Sequence, residues 1–251
     1  MSTETRRGIH ATVWNEFVHE TRGDQVVVEN YPDGIHVVVA DGLREHLGPD
    51  AVVRTATLAE PSHGLTEEVL ADTDVLFWWG HIAHEQVADE VVERVVRHVH
   101  AGMGLVVLHS GHYSKVFKRL MGTTCSLKWR NDGERELVWT VAPTHPVAEG
   151  VPHPIVIPRQ EMYGEFFDIP RPDEEVFLST FEGGEVFRSG VAYDRGLGKV
   201  FYFSPGDQEY PVYHHPDIRR VLGNAARYVA ATAPRHDLTA DEHPRDWFLP
   251  E

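Results

Sequence analysis

The strongest constraint on the fold is a pair of short, almost wholly apolar runs, Asp74–Trp79 (DVLFWW) and Gly104–Leu108 (GLVVL). A strand that is apolar along its length has no face for solvent, so it belongs inside a sheet that is covered on both sides. Between the two runs, from Glu85 to Ala101, valines at 87, 91, 92, 95, 96 and 99 recur among charged residues at helical period, and Gly102 stands where a helix-ending glycine is expected. A helix joining two buried strands acts as a crossover, and crossovers make strands parallel. The same pattern repeats upstream. Gly8–Val13 reads as a first strand, Gly34–Leu47 as a helix stopped by Gly48-Pro49, and Val52–Thr57 as a second strand. The expectation is an α/β fold with a mostly parallel central sheet and helices on both faces.

The second half is less regular. Leu137–Val141, Ile155–Ile157 and Val176–Ser179 read as strands, Gly190–Tyr193 and Lys199–Ser204 as a pair joined by a turn, and Asp217 to Ala231 as a last helix. With no repeat or linker between the halves, residues 1–233 are expected to form a single domain. Residues 234–251 form a polar tail in which Trp247, Phe248 and Leu249 offer apolar contact. That tail and Phe166–Pro170 together suggest a surface for a homodimer.

Thirty-nine acidic against 23 basic residues give a formal charge of −16, which argues against nucleic acid or an anionic membrane as partner. Cys125 is the only cysteine, so no internal disulfide forms; a buried structural thiol is the expectation for it. No apolar run reaches the length that spans a bilayer, and a cytoplasmic location is expected.

Against only 4 lysines stand 17 histidines, several of them clustered. In open α/β sheets ligands bind beyond the carboxyl ends of the strands. There strand one is followed by Glu16, His19 and Glu20, strand three by His81 and His84, and strand four by His109, Ser110 and His112. Glu161, Tyr163 and Glu165 make a further group, and Asp207 follows the last apolar strand. Imidazole with carboxylate suits a borderline divalent metal such as zinc, and equally suits acid–base catalysis near neutral pH. Trp14, Trp78, Trp79, Tyr113, Tyr163 and Tyr210 are aromatics able to stack on a sugar or to fill core. Ser110 sits at a strand-to-turn junction like that of an elbow nucleophile, but in His-Ser-Gly-His rather than Gly-x-Ser-x-Gly. Gly196 to Lys199 (GLGK) precedes a strand, so it is a hairpin turn and not a phosphate loop. His36, His46, His63, His98, His100, His236 and His243 are expected to be ordinary solvated or bonded residues.

VWNEFVHE at 13–20, YPDGIH at 31–36, WWGHIAHEQV at 78–87, LHSGHYSKVFKRLMGT at 108–123, QEMYGEFFDIP at 160–170, FEGGEVFRSG at 181–190 and GKVFYFSPGD at 198–207 together resemble the ThuA-like, trehalose-utilisation family. Its members look like class I glutamine amidotransferase domains without the amidotransferase chemistry. The resemblance implies a flavodoxin-like, class I glutamine amidotransferase-like three-layer sandwich. Matching Gly111-His112 to the amidotransferase Gly-His puts His109 at the nucleophile position, where imidazole cannot replace a thiolate; glutaminase activity is therefore not expected. Gly206-Asp207 stands where many ThuA-like proteins have Gly-His, and His214-His215-Pro216-Asp217 only imitates a triad segment.

The resemblance further implies sugar catabolism through 3-keto derivatives. The expected activity is a metal-assisted enzyme acting on a 3-keto-sugar or 3-keto-glycoside by isomerisation, elimination or hydrolysis. In that reading Glu161, Glu165, His112 and Tyr163 are catalytic, while Trp14, Glu16, Ser110, Tyr113 and Asp207 bind a small sugar. His19, His81, His84 and His109 hold a divalent metal, zinc first, with no nucleotide cofactor. The alternatives are a non-catalytic sugar-binding or assembly subunit, and a metal-dependent hydrolase of small esters or amides.

Overall fold

The structure is a computed structural model and describes residues 8–231 and residue 235; the rest of the tail, with Trp247, Phe248 and Leu249, lies outside the described residues, as do His236 and His243. In chain order, β1 (His10–Asn15) leads through two short helices, α1 (Val18–Arg22) and α2 (Gln25–Asn30), to α3 (Ile35–Leu47). Then come β2 (Val52–Thr57), α4 (Glu67–Ala71), β3 (Val75–Trp79), α5 (Asp89–His100), β4 (Gly104–Leu108) and α6 (Lys115–Met121). The second half holds β5 (Lys128–Thr140), β6 (Ile155–Gly164), β7 (Glu174–Thr180), β8 (Val186–Arg195), β9 (Gly198–Phe203) and α7 (Pro216–Val229).

All nine strands share one sheet in the order β2-β1-β3-β4-β9-β8-β7-β5-β6. The first five run parallel, and every later pairing is antiparallel. The sheet is therefore mixed, which corrects the expectation of a mostly parallel one. The reason lies in the connections: β8 and β9 are joined by a tight turn from Arg195 to Gly198, and a connection that short can only bring the chain back antiparallel. The five parallel strands alone keep the doubly wound order 2-1-3-4-5.

Alternation along the buried strands builds two cores. Val75, Phe77 and Trp79 of β3 face α3 and α7, whereas Leu76 and Trp78 face α5 and α6. Val106 and Leu108 of β4 join the first core, Leu105 and Val107 the second, so the sheet is sandwiched between two helical layers. No helix among the described residues is long and apolar enough to cross a membrane.

Candidate active site

The parallel strands end on one rim, and the sequence there sets the geometry. After β1, Phe17 takes a left-handed conformation (φ 54°), with its N–H donating to Asn15 Oδ1 at 2.8 Å, and this turn starts α1. After β3 the chain loops through Gly80 to Ala83. The Glu16 carboxylate holds that loop, accepting from the backbone N–H of His81 (2.8 Å), Ile82 (2.9 Å) and Ala83 (2.9 Å). After β4 the strained elbow residue is His109, at φ 45°, rather than Ser110. Gly111 follows because a Cβ there would lie 3.0 Å from the Trp78 carbonyl oxygen.

His109 is fully buried, and its Nδ1–H donates to the Ser204 carbonyl at 2.7 Å. That bond turns Nε2 toward Glu161 Oε2 (3.0 Å), Asp207 Oδ2 (3.4 Å) and the Tyr163 hydroxyl (3.1 Å), with the Tyr163 ring stacked on the imidazole at 4.6 Å. Glu161 and Asp207 are buried too, and Gln160 Oε1 accepts from the backbone N–H of both. Glu161 and Tyr163 meet His109 together because they lie two apart on β6 and so share a face. Asp207 follows Gly206, whose φ of +144° and closeness to the Tyr213 hydroxyl exclude a side chain.

The electrostatics divide sharply. Burial opposes a charge on His109, but the Asp207 and Glu161 carboxylates facing it win and raise its pKa to about 10. The neighbouring imidazoles go the other way. Burial, reinforced by nearby positive charge that includes His109, lowers His112 to about 3 and His81 to about 4. Burial, with His81 and Lys118 nearby, lowers His84 to about 4. His112 donates through Nδ1 to the Cys125 carbonyl at 2.7 Å, leaving Nε2 as an acceptor beside the Tyr163 ring. Burial raises the Tyr163 phenol well above its ordinary value. Behind the cluster, burial lifts the Glu136 carboxyl to about 7 while Ser179 donates to it at 2.5 Å.

Among the described residues, the one set of three or more possible metal ligands gathered within 4.8 Å of one another is His109, Glu161 and Asp207. Of the four imidazoles expected as ligands only His109 belongs to it. His19 and His81 instead bond to each other, and His84 lies against the Tyr113 ring. Asp207, expected to bind substrate, is part of the cluster.

Four residues occupy places that correct their expected roles. Both Glu165 oxygens are tied to Arg188 (2.8 and 2.9 Å), which holds its pKa down against burial, so it is a fastened ion pair and not a base. Trp14 is core, stacked on Trp78 at 4.0 Å, with its Nε1–H donating to the His63 carbonyl. Glu16 is spent on the loop after β3. Tyr113 is exposed with Lys118 Nζ 3.1 Å above its ring. Ser110, by contrast, is buried with a hydroxyl that has no partner, and so does Asp207 Oδ2 lack a hydrogen bond. Tyr210 lines a separate cavity of about 440 Å³ with Arg159 and Val212. Cys125 is a buried free thiol, and of the Phe166–Pro170 segment Phe166 is exposed while Phe167 is core.

Sequence reading singles out the segment that opens at Gln160 without giving Gln160 a role, and misses Glu136, Ser204 and Asp24. β6 runs on to Gly164, so Glu161 and Tyr163 share one face of the strand and Gln160 lies on the other.

The family model for ThuA, described as trehalose utilisation, matches residues 11–229. Similar solved structures include a ThuA-like protein from Bacteroides uniformis, with a TM-score of 0.61 at 15% identity, covering 91% of this chain and 94% of the other. A ThuA-like protein from Parabacteroides merdae gives 0.63 at 15% identity, with 95% and 94% covered. A cytoplasmic protein from Salmonella typhimurium gives 0.56 at 15% identity, with 88% and 99% covered. At these identities the likeness is one of fold. No curated protein matches the chain.

Proposed function

The chain belongs to the trehalose-utilisation family, and from that premise we propose that it is an enzyme of carbohydrate breakdown that moves a proton on a keto-sugar or keto-glycoside. Membership supports a carbohydrate-related role. The reading beyond it rests on one observation, the buried convergence of His109 Nε2, Glu161 Oε2 and Asp207 Oδ2. A sugar-binding module needs aromatic platforms and hydroxyl partners, whereas two buried carboxylates facing an imidazole are the arrangement that acid–base or cation chemistry uses.

The donor set fits a divalent cation. One nitrogen and two carboxylate oxygens suit zinc or manganese, His109 is oriented by its second bond to Ser204, and Asp207 Oδ2 is buried without a hydrogen bond. His109, Glu161 and Asp207 would hold the ion, which when bound polarises a carbonyl or hydroxyl oxygen and stabilises developing negative charge. Around it, the chain's own groups bind and orient. The Tyr163 hydroxyl meets the cluster at His109, the buried Ser110 hydroxyl next to it in the chain is left without a partner, and His112 keeps a free acceptor nitrogen. A ketone acidifies the adjoining C–H, and such a set serves its abstraction in isomerisation or elimination.

Elemental mass spectrometry of tag-free protein, beside a chelated and dialysed control, is expected to find close to one equivalent of zinc or manganese. Incubation with 3-keto-glucosides in deuterated water is expected to exchange the hydrogen beside the ketone. Protein that takes up no cation on reconstitution and exchanges no substrate hydrogen is a binding module instead.

A further inference from the structure

Resting on that acid–base reading, we propose that Asp24, His19 and His81 form a proton relay that makes His81 Nε2 the proton acceptor of the site and connects it to solvent. His19 Nδ1 lies 2.6 Å from Asp24 Oδ2, and His19 Nε2 lies 2.9 Å from His81 Nδ1. The ring planes are inclined by 23° with their centroids 5.1 Å apart, a separation that leaves the two bonded nitrogens between the rings.

The direction of the chain follows from donor chemistry. A carboxylate only accepts, so His19 carries its proton on Nδ1 and its Nε2 accepts; His81 must then carry its proton on Nδ1. His81 Nε2 is left with its lone pair, and among the described residues it has no hydrogen-bond partner. Its place is fixed twice. Glu16 holds its backbone N–H at 2.8 Å, and pairing of Trp79 with Leu108 makes the chain after β3 emerge beside the chain after β4, where His109 stands. Asp24 at the far end is half exposed.

A relay answers a difficulty that an isolated imidazole has here. Burial and the neighbouring His109 resist an imidazolium at His81. A proton taken at Nε2 is tolerated if another leaves from Nδ1. In the proposed transfer, substrate carbon gives its proton to His81 Nε2, His81 Nδ1–H passes to His19 Nε2, and His19 Nδ1–H passes to Asp24, which hands it to water. One proton leaves the substrate, one reaches solvent, and each ring ends neutral. Return of the rings to the starting tautomer follows the reverse path when the substrate carbon or oxygen is reprotonated. His81 is the catalytic residue in this scheme; His19 and Asp24 are positioning residues.

The test begins without substrate. Long-range proton–nitrogen spectra of the imidazoles in full-length, cation-free protein should show His81 protonated on Nδ1 and bare on Nε2. Asp24→Asn keeps an acceptor oxygen for His19 and should keep that tautomer, whereas His19→Leu removes the acceptor and should let the His81 proton move to Nε2. Wild-type His81 protonated on Nε2 overturns the relay whatever the activity. The second measurement is hydrogen exchange of a 3-keto-glucoside in deuterated water. Asp24→Asn should slow it by about 10- to 100-fold and make the rate depend on buffer concentration. A merely structural Asp24 predicts a wild-type rate and pH profile in that variant, which overturns the proposal. Wild-type protein that exchanges nothing counts against the keto-sugar reading instead, and the tautomer spectra then decide the relay alone.

Discussion

The two halves of the sheet deliver chemistry in different ways. In the parallel half every functional group sits just beyond a strand: His81 and His84 after β3, His109 and His112 after β4, Asp207 after β9. In the antiparallel half Glu161 and Tyr163 lie within β6 itself, and Glu136 within β5. The loop groups need individual fastening, which Glu16, Ser204 and Cys125 supply, whereas strand groups are aimed by the pleat. The cluster of His109, Glu161 and Asp207 takes members from both halves, so it forms only when the seam at β4, β9 and β8 closes correctly.

The sharpest test of that seam removes one carboxylate from each side. Asp207→Asn and Glu161→Gln should each weaken manganese or zinc binding about a thousandfold, by titration calorimetry, since a lost ligand costs more than the 10- to 100-fold of a lost outer partner. Glu165→Gln, in the same antiparallel half but paired to Arg188, should leave cation affinity unchanged and lower stability. An equal loss from all three would mean that the cluster is not the ion's seat.

Stability against pH should separate the halves by sign. The parallel half holds His81, His84 and His112 neutral with pKa values lowered to about 4, 4 and 3. Their unfolded forms bind protons near 6.5, so this stabilisation is complete above that pH and is lost as pH falls toward 4, by about 3 kcal/mol for each. The antiparallel half holds Glu136 protonated, its pKa raised by burial to about 7. Its contribution is complete below the unfolded value of 4.5 and is lost as pH rises through about 7. Glu136→Gln should therefore stabilise the protein by about 3 kcal/mol at pH 8 and by little at pH 5, measured by urea unfolding. A variant equally stabilised at both pH values would show that Glu136 is ionised throughout.

The same division explains what the sequence disclosed. The parallel half was legible because a buried strand writes an unbroken apolar run: Gly104–Leu108, buried along its whole length, was read with the bounds it has. Histidines directly after such runs were therefore placed on the rim without knowledge of the fold. The antiparallel half hid its extent. β5 spans 13 residues, mostly exposed or half-buried and rich in charge, so only its apolar end at Leu137 was recognised. With β6 cut short, Glu161 and Glu165 looked alike, since nothing in the sequence shows that Arg188 occupies one and His109 meets the other. Likewise Glu16 and Glu20 gave no sign of which would turn inward, because that depends on the loop from β3, far away in the chain.

The smallest effects come from two serines that take opposite signs in the two halves. Ser179, on β7, donates to the buried Glu136 carboxyl. Replacing it by alanine should cost about 1–2 kcal/mol, because a buried acceptor loses its partner. Ser110, in the turn after β4, has a buried hydroxyl without a hydrogen bond. Its replacement by alanine deletes an unsatisfied polar atom, so the free protein should gain up to about 1 kcal/mol in urea unfolding. A natural side chain that weakens the free fold is understandable if substrate supplies the missing partner. Ser110→Ala should then raise KM for a 3-keto-glucoside while leaving the exchange rate at saturation nearly unchanged, which is the signature of lost uniform binding. Loss of stability in Ser110→Ala, with no change in KM, would instead assign the hydroxyl to the fold.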